Sequence, residues 1–345
     1  DRIFQLGTHM LHGTTDPEEA GAPMSDIAVA GLKKLLPAVN REFSQRHGEI
    51  PNSTFAVIGL GKLGGREMTV ESDLDLTFVY DVPGGVSNGL KQLTPELYFT
   101  RLSQRLIGAI TAPTAEGKLF DVDMRLRPSG ASGPIATPLE GFLNYQRQNA
   151  WTWEHMALTR ARVIVADEEL KIRIQSVIRN VLTRERDATS LVSDVANMRD
   201  RIAREHQSDD PWAIKHYRGG LIDIEFISQY LQLRHAAIHP SVLAVNTTDA
   251  LSKLADVKVL NRGIADELIE AMHLWRKVQG ILRLSFGAEF EEVNAPEGAL
   301  ALLSRVTKTS NFSELKERIV STATDVRSHF VELIEKPARE SPDRL

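Results

Sequence analysis

The chain contains no cysteine, which excludes both a disulfide framework and a thiolate metal site. It has no apolar run of the length a membrane span needs, and its first residues lack the pattern of a secretory signal. Neither sign of charge dominates. Against 41 Lys and Arg stand 46 Asp and Glu, a formal net charge of −5, whereas a general nucleic-acid binder carries a basic excess. Aromatic residues are sparse at 6%, yet 42% apolar content over 345 residues suffices for two domains with their own cores. The expectation is a cytoplasmic protein with no membrane and no nucleic-acid partner.

What is present is concentrated in residues 55–81, FAVIGLGKLGGREMTVESDLDLTFVYD. Gly59-Leu60-Gly61-Lys62-Leu63-Gly64 matches the glycine fingerprint of a dinucleotide-binding unit. Spacing opposes that assignment: between Gly64 and Ser72 the chain has room for barely two helical turns, too little for a parallel crossover. A Walker A loop fails as well, because Lys62 is misplaced for it. The spacing fits a strand ending at the glycines, a short helix, and a second strand carrying Asp73-Leu74-Asp75. Strand alternation puts Asp73 and Asp75 on one face and Leu74, Leu76 and Phe78 on the other. Two carboxylates on one face call for a cation, and Mg²⁺ held by carboxylates and substrate phosphates is the natural choice. Backbone N–H groups from Gly61 to Gly65 are candidates to cradle those phosphates. The bland alternative is a surface turn with two hydrated aspartates. It is disfavoured by Leu74, Leu76, Phe78, Val79 and Tyr80, which read as a largely buried strand.

Residues 118–128, KLFDVDMRLRP, alternate in the same way: Asp121, Asp123, Arg125 and Arg127 are expected on one strand face, Phe120, Val122, Met124 and Leu126 on the other. Asp123 is the better candidate to complete a metal site or to deprotonate an attacking hydroxyl. Arg125 and Arg127 are candidates for phosphate oxygens. An edge strand with a solvated face is an equal competitor when this segment is taken alone; beside Asp73 and Asp75 the functional reading gains.

The pattern predicts three parts: residues 1–25 as a helix remnant and linker, 26–166 as the catalytic domain, and 167–345 as a bundle of long amphipathic helices. Residues 130–138 read as a loop, and Trp151 and Trp153 as core residues. His155 reads as a hydrogen-bonded structural histidine, and Arg160 and Arg162 as supporting ion pairs first and phosphate ligands second. In the helical part, Gly219 and Gly220 precede a helix start with Asp223 in its first turn, where an acid complements the helix dipole.

Together the strings Gly59-Leu-Gly-Lys-Leu-Gly-Gly-Arg-Glu67, Ser72-Asp-Leu-Asp-Leu76, Asp123-Met-Arg-Leu-Arg-Pro-Ser-Gly130, Ala150-Trp-Thr-Trp-Glu-His155 and Arg160-Ala-Arg162 resemble the glutamine synthetase adenylyltransferase family. The resemblance is strong over residues 50–235 and looser beyond. It implies an α+β fold, a polymerase-β-like nucleotidyltransferase domain with a small mixed sheet and helices, followed by an all-α helical bundle domain. The wider superfamily has its glycine pair somewhat further from the aspartates, so both Gly61-Lys62 and Gly64-Gly65 are candidates for phosphate contact.

The family joins two similar halves, one adding AMP to a tyrosine of glutamine synthetase and one removing it by phosphorolysis. Arg127-Pro-Ser-Gly130 and Ala150-Trp-Thr-Trp-Glu-His155 resemble the adding, C-terminal half, and the first residue, Asp1, fits a fragment of a longer chain. By resemblance Asp73, Asp75 and Asp123 are catalytic and metal-binding. Gly61, Lys62, Gly64, Gly65, Ser72, Arg125, Arg127, Lys215, Arg218, Asp223 and Glu225 bind the nucleotide, the last four across a domain interface. The implied cofactor is Mg²⁺ and the co-substrate ATP. The implied partners are glutamine synthetase, with the PII signalling protein and glutamine as regulators, and the fragment itself is expected to be a monomer. The rivals are the removing activity, a uridylyltransferase for a signalling protein, and a non-catalytic regulatory module; the three metal acids argue against the last.

Overall fold

A computed structural model describes residues 2–17, 19–115, 117–207, 209–287 and 290–340. The strands are β1 (Thr54–Gly59), β2 (Leu74–Asp81), β3 (Val122–Asp123), β4 (Ala136–Pro138) and β5 (Arg162–Val165). Around them in the chain come helices α1 (Arg2–His12), α2 (Gly21–His47), α3 (Gly61–Gly65), α4 (Pro95–Thr111), α5 (Leu139–Gln148), α6 (Thr152–Leu158) and α7 (Glu168–Leu182). Helices α8 (Ala188–Glu205), α9 (Leu221–His235), α10 (Thr247–Asp256), α11 (Arg262–Phe286), α12 (Glu297–Thr307), α13 (Phe312–Phe330) and α14 (Lys336–Arg339) follow.

The chain divides into two compact units. One comprises residues 25–67 and 72–182 and carries the sheet; the other comprises 1–24, 68–71 and 183–345 and is helical. This is an α+β architecture, a small mixed sheet with helices followed by an all-helical part. In the sheet, β1 lies antiparallel to β2 from Thr54↔Asp81 to Gly59↔Leu76, and antiparallel to β5 on its other edge. β3 and β4 share the far edge of β2 and run parallel to it, β3 beside Leu74 and Asp75, β4 beside Phe78 to Tyr80. Both central strands are sealed: Ala56, Val57, Ile58, Leu74, Leu76, Phe78 and Val79 have no exposed surface. Helix α4 covers one face through Tyr98, Phe99, Leu102, Leu106 and Ile110, and its Phe99 ring stacks on both Phe55 and Tyr80.

Three local expectations are corrected. The strand expected across residues 118–128 is only Val122–Asp123, so Arg125 and Arg127 do not share a strand face with Asp123. The chain turns instead directly after Asp123, the Arg127 N–H donating to the Met124 carbonyl at 3.2 Å, and a second turn with left-handed Ser129 and Gly130 follows Pro128. The segment read as a loop before Pro138 contributes β4, whose pairing with β2 no local pattern announces. Trp151 is 70% exposed and Trp153 half-buried, so neither is a core residue. Trp151 precedes α6, where Glu154 accepts its backbone N–H at 2.9 Å and also the Tyr145 hydroxyl at 2.7 Å. The cap fixes the backbone there and leaves the ring outside.

In the helical unit, α11 is the longest element and buries Leu268, Met272, Trp275, Val278 and Ile281 along one stripe. It packs against α1, α9, α10, α12 and α13. No helix among the described residues is long and apolar enough to cross a membrane.

Candidate active site

The glycine turn between β1 and β2 is shaped by close approach. Gly61 has φ +50°, and a Cβ there would collide with the Asp75 carboxylate. A Cβ on Gly64 would overlap the carbonyl oxygens of Arg160 and Gly59. The Leu60 N–H donates to the Asp75 carbonyl at 2.9 Å, tying the turn to β2. Glycine is therefore required at both positions by the protein's own packing. Helix α3 occupies this turn and ends at Arg66, whose backbone is left-handed.

Two arginines hold the turn from behind. The Arg162 guanidinium donates to the carbonyls of Leu63 at 2.8 Å and Gly64 at 3.2 Å, capping the end of α3. Arg160 forms a buried ion pair with Glu67. The ion-pair reading of Arg160 is met; Arg162 instead serves backbone oxygens. His155 is buried and hydrogen-bonded to the Gln146 carbonyl at 2.9 Å, as a structural histidine should be.

The acids come next. Asp73 is exposed just ahead of β2, and Asp75 is half-buried on it. The parallel register places Asp75 opposite Asp123 on β3, and the Leu74 N–H donates to the Asp121 carbonyl at 2.8 Å to lock that register. Asp121 itself pairs with Lys118 at 2.6 Å. Arg125 reaches back from the turn: its backbone N–H donates to Asp123 Oδ1 at 2.8 Å, and its Nε and Nη2 donate to Oδ2 at 2.8 and 2.6 Å. Burial alone would raise the Asp123 carboxyl, but these hydrogen bonds and the charges of Arg125 and Arg127 hold it below the usual carboxylate range. Arg125 is pushed up in turn, first by its hydrogen bond and charge contact with Asp123, and, against burial, by Asp75 and Asp73.

Arg127 is engaged elsewhere. Its Nη1 donates to Met124 O at 2.7 Å, its Nη2 to Ala131 O at 3.0 Å and its Nε to Gly133 O at 3.2 Å. It staples the loop that carries Arg125. Lys62 is half-buried within α3, while Gly65 and Ser72 are buried.

Among the described residues, no group of three or more His, Asp or Glu is arranged to hold a metal ion. The donor set still has the chemistry of a hard divalent-cation site. Three carboxylates act on one positive charge, and here that charge is the Arg125 guanidinium.

In the helical unit, the string Lys215 to Glu225 has its own internal structure. Asp223 is fully buried, ion-paired to the equally buried Arg199, and accepts the Gly219 N–H at 2.6 Å. Arg199 also donates to His216 O at 3.1 Å. Arg218 pairs with Asp200 at 2.8 Å. Lys215 is exposed and Glu225 half-buried. A Cβ on Gly219 would strike the Ala323 carbonyl, so this glycine serves the seating of the string against α13. Sequence reasoning missed Arg199 and Glu67. Arg199 carried a usable signal, a cation on the apolar stripe of Val192, Val195 and Ala196.

A small mixed sheet with a glycine turn after one strand, and carboxylates paired across the next two, defines a nucleotidyltransferase domain. Family comparison agrees. The profile described as glutamate-ammonia ligase adenylyltransferase matches residues 1–177, and that of GlnD PII-uridylyltransferase matches residues 196–334. The chain belongs to the glutamate-ammonia ligase adenylyltransferase family, a family of nucleotidyltransferases. Among curated relatives, the bifunctional glutamine synthetase adenylyltransferase/adenylyl-removing enzyme of Rhodopseudomonas palustris (strain BisB5) is 44% identical over 336 residues, covering 97% of this chain and 34% of the relative. The enzymes of the same name from Bradyrhizobium diazoefficiens and Xanthobacter autotrophicus are 42% and 40% identical, covering 97% and 96% of this chain and 34% of each relative. The chain thus spans about a third of the length of the curated relatives it matches.

Proposed function

We propose that this chain transfers AMP from ATP to a tyrosine hydroxyl of glutamine synthetase, releasing pyrophosphate, as the adding half of a bifunctional enzyme. The observation that carries the chemistry is the register of Asp75 with Asp123, with Asp73 two residues before Asp75 and Arg125 paired to Asp123. The direction rests on the wording of residues 127–130 and 150–155, which resembles the adding half. PII and glutamine act on the full-length enzyme in this reading.

Asp73 and Asp75 would hold Mg²⁺ against the nucleotide phosphates; once Arg125 has left Asp123, one of its oxygens would be available to join them and the other to accept the tyrosine proton. A bound Mg²⁺ supplies charge neutralisation at the phosphates and favours ionisation of a nearby hydroxyl. The tyrosine oxygen bonds to the α-phosphorus, the bond from that phosphorus to the bridging oxygen breaks, and the pair leaves on pyrophosphate. An ordinary tyrosine hydroxyl has a pKa of about 10, so a proton acceptor is needed at neutral pH. Asp123 takes that proton and returns it to solvent. While paired with Arg125 it is a weak base; moving Arg125 to the phosphates both frees its lone pairs and supplies charge to the leaving group. The Arg125 side chain is 83% exposed, so this movement breaks no packing. Within the helical unit Lys215 is an exposed cation, and Asp223, buried against Arg199, fixes the start of α9 and is not available to a nucleotide.

The test is transfer of label from α-labelled ATP with Mg²⁺ to unmodified glutamine synthetase, beside phosphate-driven release from the adenylylated protein. Label on the synthetase that is lost in Asp75→Asn supports the proposal. Release without transfer assigns the removing direction, and neither reaction with tight ATP binding assigns a regulatory module.

A further inference from the structure

At the opposite end of the central hairpin from the acids lies an open cavity of about 810 Å³. Asp75 and Asp81 mark the two ends of β2, about 20 Å apart at strand rise. The cavity is walled by Arg46 near the end of α2, Lys91 in the loop after β2, and Arg101 and Arg105 one turn apart on α4. Its single acid is Glu42, which lies 3.5 Å from Arg105. Among the described residues, no acidic side chain pairs with Arg46, Lys91 or Arg101. A chain with a net charge of −5 thus gathers four cations around one pocket.

The pocket is built before any ligand arrives. Glu49 N donates to Asn88 Oδ1 at 2.8 Å and Asn88 N to Glu49 O at 3.1 Å, while Gly89 N donates to His47 O at 3.1 Å. His47 Nδ1 donates to Lys91 O at 3.1 Å, and the Tyr98 hydroxyl donates to Gly48 O at 3.1 Å. The backbones approach so closely that a Cβ on Gly89 would overlap the His47 carbonyl group. Ser87 and Leu93 close the loop by mutual hydrogen bonds of 3.0 and 2.9 Å. At the loop tip Leu90 is 99% exposed and lines the cavity.

We propose that this pocket docks an acidic, leucine-like segment of a protein partner, away from the reacting groups. Charge complementarity selects the acids, and Leu90 offers an apolar contact at the rim. The walls are mostly charged and polar rather than apolar, and the cations come from three separate segments, α2, the loop after β2 and α4, which suits several acids along one stretch of chain better than a single small metabolite. Cations gathered on a rigid pocket, rather than spread in a stripe, fit a short peptide better than a nucleic-acid backbone. The site is independent of the adenylyl-transfer reading, because its occupancy is measured without ATP or glutamine synthetase.

The experiment is fluorescence anisotropy of a fluorescein-labelled peptide of repeated Glu-Glu-Leu triplets with the full chain, against a Ser-Ser-Leu control. Saturable, salt-weakened binding of the acidic peptide is expected, reduced about tenfold in Arg101→Glu/Arg105→Glu and less strongly in Leu90→Ser. These residues are exposed, so unchanged melting is the control; Lys91→Glu serves if the double variant does not fold. No saturable binding, equal affinity in wild type and charge variants, or displacement by citrate beyond that of sodium chloride at matched ionic strength would each overturn the proposal, the last by assigning a small-anion site.

Discussion

Asp75 and Asp123 face each other across adjacent parallel strands, and Arg125 folds back on Asp123 from the next turn. This is a carboxylate pair with an internal counter-ion. Its behaviour under substitution separates the role of the acids from that of the scaffold.

Replacing Asp75 by Asn keeps the volume and removes one of the like charges, so the fold should melt at or slightly above the wild-type temperature. AMP transfer should fall by at least about 100- to 1000-fold, the scale seen when one group that stabilises transition-state charge is removed. Retained transfer with normal melting would defeat the assigned role.

Removing the counter-ion should act in the opposite sense on metal and on turnover. In Arg125→Ala, Asp123 loses its partner, and Mn²⁺ titrated in the absence of nucleotide should bind about tenfold more tightly, as expected when a competing cation is withdrawn. Transfer should nevertheless decline, because the leaving group loses a cation. Unchanged metal affinity by calorimetry would show that Arg125 does not compete for the site.

Gly61→Ala tests the turn. The left-handed backbone costs about 1 kcal/mol or more for a side chain, and the new methyl would press on the Asp75 carboxylate. A lower melting temperature and a fall in transfer larger than that drop explains are expected. Wild-type behaviour in both would mean that the turn relaxes freely.

Arg199 and Asp223 are both fully buried. Arg199→Met should cost about 3–5 kcal/mol in urea unfolding, since it leaves an uncompensated carboxylate inside. Arg199→Met/Asp223→Leu should recover a substantial part of that loss. Additive destabilisation would show that the two groups do not act as a pair.

His216 stacks on His206 with ring centroids 4.0 Å apart. Burial first, then the charges of Lys215, His206 and Arg199, lowers its pKa from 6.5 to about 4. Between those values the unfolded chain binds the additional proton, so the neutral imidazole's contribution is complete above pH 6.5 and lost as pH falls toward 4. Melting temperature should drop more steeply across this window in the wild type than in His216→Phe. Parallel profiles would assign the acid sensitivity to other groups.

Much of this protein is legible without coordinates. Strand parity sets Asp75 against the buried Leu74 and Leu76 on β2, although the strand begins at Leu74 and leaves Asp73 ahead of it. The short gap from Gly64 to Ser72 alone excludes a crossover helix. The amphipathic periods after residue 167 likewise announce helices. These readings succeed because each depends on neighbours a few residues apart.

Tertiary structure decided the rest, where partners lie far apart in the chain or where a turn overrides an alternating pattern. Parallel pairing of β2 with β3 brings Asp123 opposite Asp75, although alternation within either segment cannot state their register. A turn directly after Asp123, closed by the Arg127 N–H on the Met124 carbonyl at 3.2 Å, ends the arginine strand, making Arg127 a loop staple and Arg125 the counter-ion of Asp123. Asp223 could be read as a first-turn acid, but its burial depends on Arg199 arriving from another helix. Periodicity determines which way a side chain points; only the packed fold determines which charge it meets.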